Sequence, residues 1–293
     1  MTGVGDSARR TTFPTTGTAG APSMGAPAGS APILDDLDAG RRRAAVPDPS
    51  APGGWRTDPE VKAAILACFA DRDLASWDLG GALRFQDRVG LPPKALLEGP
   101  EATAAAEVGR AWRIVPGGTS VRAGVYLGPG VVVMPPSFVN VGAWIGEDAM
   151  VDSNVLVGSC AQIGARVHLS AGVTVGGVLE PAGARSVIIE DGAFVGAGCS
   201  LLEGVLVGAG AVLGAGVVLT GTSRLYDLVR GRVLVGTPDV PLAVPPGAVV
   251  VPGTRPASGE FAARHGLAMS VALLVKDRDA GTDARVALEE ALR

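Results

Sequence analysis

An aliphatic residue returns at every sixth position through the middle of this 293-residue chain. Val121, Leu127, Val133, Val139, Ile145, Val151, Val157, Ile163, Leu169 and Val175 form an unbroken series. The register slips by two residues across Pro181-Ala182-Gly183-Ala184 and resumes at Ile189, Val195, Leu201, Val207, Leu213 and Leu219. A period of six is neither the helical period nor the two-residue alternation of a long strand. It fits short strands joined by tight turns, three hexads to a triangular coil, with coils stacked about 4.8 Å apart and hydrogen-bonded to their neighbours. Residues 121–219 therefore predict a parallel β-helix of roughly five coils. The residue after the aliphatic is often glycine, as at Gly128, Gly146, Gly158, Gly164 and Gly196, and is expected to supply unusual dihedrals at the turns.

The composition agrees with a narrow interior. Hydrophobic residues make up 47% of the chain but aromatics only 4%, so small and aliphatic side chains must fill the core. A net charge of −4 leaves no basic excess for nucleic acid, and 18% charged residues is too few for a wholly disordered chain. Three scattered cysteines, Cys68, Cys160 and Cys199, make no disulfide framework and point to reduced core thiols and a cytoplasmic location. No basic stretch followed by an apolar run opens the sequence, so secretion is not expected. The uncharged stretch 204–223 has the length of a membrane span, but it only continues the six-residue period, so no membrane is expected.

Four regions are expected. Residues 1–30, rich in Gly, Ala, Pro, Ser and Thr, form a disordered tail. Residues 31–112 form a small, mostly helical domain. Asp58-Pro59-Glu60 starts one helix with a capping carboxylate, Val61, Ile65 and Phe69 make its apolar face, and a second covers Glu101–Arg110. The β-helix occupies 113–236. Residues 237–293 leave the repeat, carry Pro245-Pro246-Gly247, and close over a bound co-substrate.

The strings MPPSFVNVGAWIGEDAMVDS (134–153), VGSCAQIGARVHLSAGVTVGGVLEP (157–181) and IIEDGAFVGA (188–197) are far more specific than a bare hexad repeat. With WRIVP (112–116), VPPGAVVVPGTRP (244–256) and VALLVK (271–276), they resemble the tetrahydrodipicolinate N-succinyltransferase family over most of residues 33–276. The resemblance implies a left-handed hand for the β-helix and a homotrimer with active sites between neighbouring prisms. It also implies succinyl-CoA as co-substrate, no metal, and direct attack of an amino dicarboxylate amine on the thioester.

By the same resemblance, Asp152 in the Met-Val-Asp motif is the catalytic carboxylate that orients and deprotonates the amine. Its plain alternative is a turn aspartate bonded to its own backbone. Arg113 is implied to hold a substrate carboxylate, a task suited to a planar bidentate donor. Asn140, Ser153, Asn154, Phe194 and Ser200 are the remaining substrate-pocket positions. His168 is a rival base, since histidine suits neutral pH. Cys160 and Cys199 lack any cue for thiolate activation. For the CoA arm, Gly176, Gly177, Gly214 and Gly216 leave backbone open to the pantetheine, and Arg224, Arg255 and Lys276 are candidates for the phosphates. Backbone amides of the groove are expected to polarise the thioester carbonyl.

The pattern also departs from the family. A pocket tryptophan has become Asn154, an arginine suited to a carboxylate has become Gly198, and a second active-site acid has become Ser200. Glu203 lies half a hexad further on and faces another way, so it does not inherit that role. Two alternatives stay open: an acyltransferase with a different amino-acid acceptor or acyl group, and a catalytically inactive trimeric scaffold.

Overall fold

The computed structural model describes residues 32–79, 83–97, 104–105 and 110–282. The expected disordered tail lies outside the described residues, as does all of the helix expected over Glu101–Arg110 except Ala104, Ala105 and Arg110.

The repeat folds into a left-handed parallel β-helix of triangular section. Face I carries Arg113–Ile114, Val132–Val133, Met150–Val151, His168–Leu169, Phe194–Val195 and Val212–Leu213. Face II carries Ser120–Val121, Phe138–Val139, Leu156–Val157, Thr174–Val175, Ser200–Leu201 and Val218–Leu219. Face III carries Tyr126–Leu127, Trp144–Ile145, Gln162–Ile163, Ile188–Ile189, Leu206–Val207 and Ala243–Val244. The second residue of each pair points inward, and from Val133 to Leu219 every inward aliphatic is 0% exposed. Each contributes about 1.5–3 kcal/mol of transfer free energy, so the stack is stabilised coil by coil.

The glycine after the aliphatic serves a different purpose from the one expected. A Cβ at Gly146 would lie 2.6 Å from the amide nitrogen of Ala165 in the next coil, so the residue must be glycine for the coils to approach. The left-handed backbone falls two positions later, where Asp148, Asn154, Cys160 and Arg166 adopt φ of 55–65° and Gly198 adopts 68°.

The repeat also extends further than expected. After Leu219 the chain leaves the column for an antiparallel hairpin, Arg224–Asp227 with Arg232–Val235. It then returns: Ala243–Val244 pairs with Leu206–Val207, and Ala248–Pro256 pairs with Val212–Leu213. The expected boundary at 236/237 thus precedes one more turn of the column, whose inward marks Val244 and Val250 are six residues apart and fully buried. Faces II and III each hold six strands, and the face I sheet reaches ten by taking in both C-terminal hairpins.

Among the described residues, the N-terminal region is not mostly helical. Helix α1 (Pro32–Asp38) and helix α2 (Pro59–Ala70) alternate with two antiparallel pairs, Ala45–Pro47 with Trp55–Thr57 and Leu74–Leu79 with Leu83–Arg88. Helix α2 starts where the sequence placed it. Asp58 Oδ1 accepts hydrogen bonds from the amides of Glu60 (3.0 Å) and Val61 (3.1 Å). Its buried face holds Val61, Ile65 and Cys68, and also Lys62, which is 0% exposed. Phe69 is only half-buried against this cluster. The Lys62 Nζ donates to the carbonyls of Val178 (2.7 Å) and Ala184 (2.5 Å), at both ends of the loop where the hexad register slips. Burial pushes the Lys62 ammonium below its ordinary value.

Candidate active site

Alternation sets which side chains leave the column. On face I the outward residues Arg113, Val132, Met150, His168, Phe194 and Val212 stand in register, one above another. The ladder continues one residue past each strand. The amides of Asp152, Ser170, Gly196 and Gly214 donate to Leu169, Val195, Leu213 and Val250, so these four line the edge between faces I and II.

Asp152 is the lowest of the four, and its side chain is about one-third exposed. Its Oδ1 accepts from the Ser153 amide at 2.8 Å, the turn bond that the plain structural alternative required. Its Oδ2 lies 3.9 Å from His168 Nε2, too far for a hydrogen bond but within electrostatic reach. The backbone carbonyl of Asp152 accepts from Ser137 Oγ at 2.9 Å, which fixes the turn from below. One carboxylate oxygen is therefore tied to the backbone while the other faces the His168 side of the edge. His168 is 5% exposed, and its ring meets Phe194 edge-on at 5.0 Å between centroids. Asp152, Ser153, Asn154, His168 and Phe194 thus form one cluster. Asn154 takes the left-handed turn position, φ 60°.

Other expected site residues lie elsewhere in the protomer. Arg113 is exposed on face I two coils below Met150, roughly 10 Å down the column at the usual strand spacing. Ser200 faces outward on face II between Thr174 and Val218. Asn140 stands on the edge between faces II and III, where its Oδ1 accepts from the Val141 amide (2.9 Å) and from Arg122 (3.3 Å). Face II therefore separates Asn140 from Asp152 within a single chain.

The cofactor candidates divide similarly. Gly176 and Gly177 share the Asn140 edge, and a Cβ at Gly177 would lie 2.7 Å from the Ser159 amide nitrogen, so packing between coils accounts for that glycine. Gly214 and Gly216 share the Asp152 edge, and a Cβ at Gly216 would meet nothing within 4 Å. Arg224 is exposed on the hairpin outside the column. Arg255 pairs with Met269 and Lys276 with Val249 on the long C-terminal hairpin. Residues 269 and 276 are roughly 24 Å apart along an extended strand, so Arg255 and Lys276 cannot hold the same phosphate. The Lys276 ammonium is already paired with Asp279 at 2.8 Å.

Cys160 and Cys199 are core thiols. Burial pushes Cys160 up to about 11 and raises Cys199, so neither is a ready nucleophile at neutral pH. Among the described residues, no three His, Cys, Asp or Glu gather as a metal-binding group, and no helix is long and apolar enough to cross a membrane. Sequence reasoning missed Ser170, although it stands two residues after His168 in the same string.

The family model for bacterial transferase hexapeptide (six repeats) matches residues 142–177 and 186–221. The 2,3,4,5-tetrahydropyridine-2,6-dicarboxylate N-succinyltransferase of Dechloromonas aromatica is 41% identical, over 89% of this chain and 88% of its own. The chain belongs to this N-succinyltransferase family. The enzyme of the same name from Idiomarina loihiensis is 42% identical, over 89% of this chain and 87% of its own. A solved Campylobacter jejuni structure, described as a putative 2,3,4,5-tetrahydropyridine-2-carboxylate N-succinyltransferase, is 18% identical with a TM-score of 0.36, covering 56% of this chain and 42% of its own. This family member is an acyltransferase, and its hexad repeat is the transferase repeat of the family model.

Proposed function

We propose that this enzyme transfers the succinyl group of succinyl-CoA to the amine of acyclic tetrahydrodipicolinate, in the diaminopimelate route to lysine. The observation that carries this reading is Asp152, about one-third exposed at an edge whose upper coils are bare, in a chain about two-fifths identical to enzymes of that name. An ammonium must lose a proton before it can attack a thioester. Asp152 Oδ2 is placed to orient it and take that proton, while Oδ1 stays tied to the turn. Arg113, further down the same face, holds a carboxylate at the far end of an extended acceptor. Gly214 and Gly216, further up, leave backbone open to the pantetheine.

The site is completed by neighbouring copies in a homotrimer. Face III is covered by the chain's own N-terminal segment. Face II is open, with Leu156 38% and Val218 55% exposed. Asn140 and Asp152, on opposite sides of face II, meet only across two prisms. Three buried free thiols support a cytoplasmic setting.

A second reading, a different acceptor, is favoured by the space beside Gly198, where a Cβ would meet nothing within 4 Å, and by the uncharged Ser200. One assay separates the two. Thiol release from succinyl-CoA and acetyl-CoA is measured with tetrahydrodipicolinate and with a panel of amino acids. Turnover of succinyl-CoA with tetrahydrodipicolinate is expected. Turnover only with another acceptor overturns that substrate, and no thiol release with any pair supports an inactive scaffold. Sedimentation equilibrium checks the trimer.

A further inference from the structure

The strand His168–Leu169 and the residue after it place two polar side chains over the Asp152 turn. Leu169 points into the column and is 0% exposed, so His168 and Ser170, one step to either side, point away from its core, although their polar atoms are closed off from solvent in the single chain. They stand directly above Met150 and Asp152 in the ladder. Ser170 is only 7% exposed, and its Oγ makes no hydrogen bond among the described residues. Its backbone is fully used: the amide donates to Val195 and the carbonyl accepts from Val173. Ser137, on the opposite side of the same turn, shows how a structural hydroxyl is satisfied here. Its Oγ donates to the Asp152 carbonyl and accepts from the Val155 amide at 3.1 Å. A buried hydroxyl left without such partners is destabilising and calls for a reason. Above Ser170 the edge carries no further polar side chain: Gly196 and Gly214 follow, and a Cβ at Gly198 or Gly216 would meet only open space.

We propose that the Ser170 hydroxyl is a catalytic hydrogen-bond donor to the acyl carbonyl oxygen, holding the oxyanion formed when the amine adds to the thioester. This rests on the acyl-transfer reading above. The amine nitrogen bonds to the thioester carbon, and the carbonyl π pair moves to oxygen, where the Ser170 O–H meets it. The ammonium's first proton has already left through Asp152 to water, and the second, lost as nitrogen adds, passes to Asp152 and from there to the sulfur. The carbonyl then re-forms as the C–S bond breaks, and the departing sulfur takes up the proton as free CoA thiol. Adjacent coils are about 4.8 Å apart. That spacing suits a carbon whose nitrogen is one hydrogen bond from the lower residue and whose oxygen is one hydrogen bond from the upper.

The test compares wild type, Ser170→Ala and Ser170→Thr in full-length enzyme, with thiol release as readout and a thermal melt alongside. Ser170→Ala should lower kcat about 100-fold, the usual loss for one oxyanion donor, with both KM values within twofold and an unchanged or higher melting midpoint. Ser170→Thr, which keeps the hydroxyl, should recover at least tenfold of that loss. A kcat within threefold of wild type in Ser170→Ala overturns the proposal. So does a rise in KM at constant kcat, or a folded Ser170→Thr as slow as the alanine variant. If wild type ignores tetrahydrodipicolinate but acylates another amine, the acceptor falls and Ser170 is judged on that pair. If wild type releases no thiol from any acyl-CoA with any amine, both readings fall.

Discussion

Face III and face I share the same inward half. Ile145, Ile163 and Ile189 behind one and Val151, Leu169 and Val195 behind the other are all 0% exposed. Their outward halves differ. On face III, Tyr126 and Trp144 stack at 3.8 Å, and the Arg43 guanidinium lies 3.9 Å over Trp144 while donating to Gln162 at 3.0 Å. Ala45 and Trp55 pack against Ile188 and Leu206, and Trp55 donates to Glu190 at 2.9 Å. Burial lowers Arg43 to about 10, still cationic at neutral pH, so the stack keeps its charge. On face I the outward position beside Asp152 instead holds a buried ionisable ring, His168, packed edge-on against Phe194. One repeat therefore builds both a wall and a site, and the outward residue of each strand decides which.

The sharpest way to break the contrast is Asp152→Asn. It should lower kcat about 1,000-fold, within the range of a lost general base, with the melt unchanged. If activity survives and His168→Ala removes it, the base is His168. Lys62→Met comes next, on the covered side. It strips a charged donor from two buried carbonyls and should cost about 2–3 kcal/mol, read as a lower urea midpoint at constant slope. Arg43→Ala should cost about 1–2 kcal/mol, with kcat per folded enzyme unchanged, because it touches only the wall.

Asp58→Ala should be the smallest, about 1 kcal/mol at pH 7. Burial works to raise the Asp58 carboxyl, but the Arg42 hydrogen bond and the helix amides outweigh it and hold the group below 3.8. A carboxylate whose folded value is depressed stabilises the fold above its unfolded value. The stability gap between wild type and Asp58→Ala should therefore be full at neutral pH and close as pH falls below 3.8. A gap that persists in acid would assign the cap's contribution to packing.

The column was legible because its geometry forces the sequence. An interior this narrow admits one aliphatic per strand, so the period of six survives intact. The Asp58-Pro59-Glu60 start of helix α2 was legible for a similar reason, since capping is local. The cover on face III was not, because Arg43 meets Gln162 and Trp55 meets Glu190 at separations of 119 and 135 residues, and short strands held that way carry no period of their own. The last coil was hidden because a hairpin intervenes and only Val244 and Val250 mark it. At the site, Asp152, Ser153 and Asn154 could be grouped from one motif. The placement of Asn140 across face II depends on how hexads distribute over three sides, which only the folded column shows.

Those long separations bear on biosynthesis. Residues 40–57 leave the ribosome before any of the coils they clasp, so the Trp55 indole must wait unsheltered until Glu190 has been translated and its coil laid down. The segment made first is the one that docks late, and a nascent chain halted short of residue 190 would leave the Trp55 indole exposed to whatever apolar surface lies nearby.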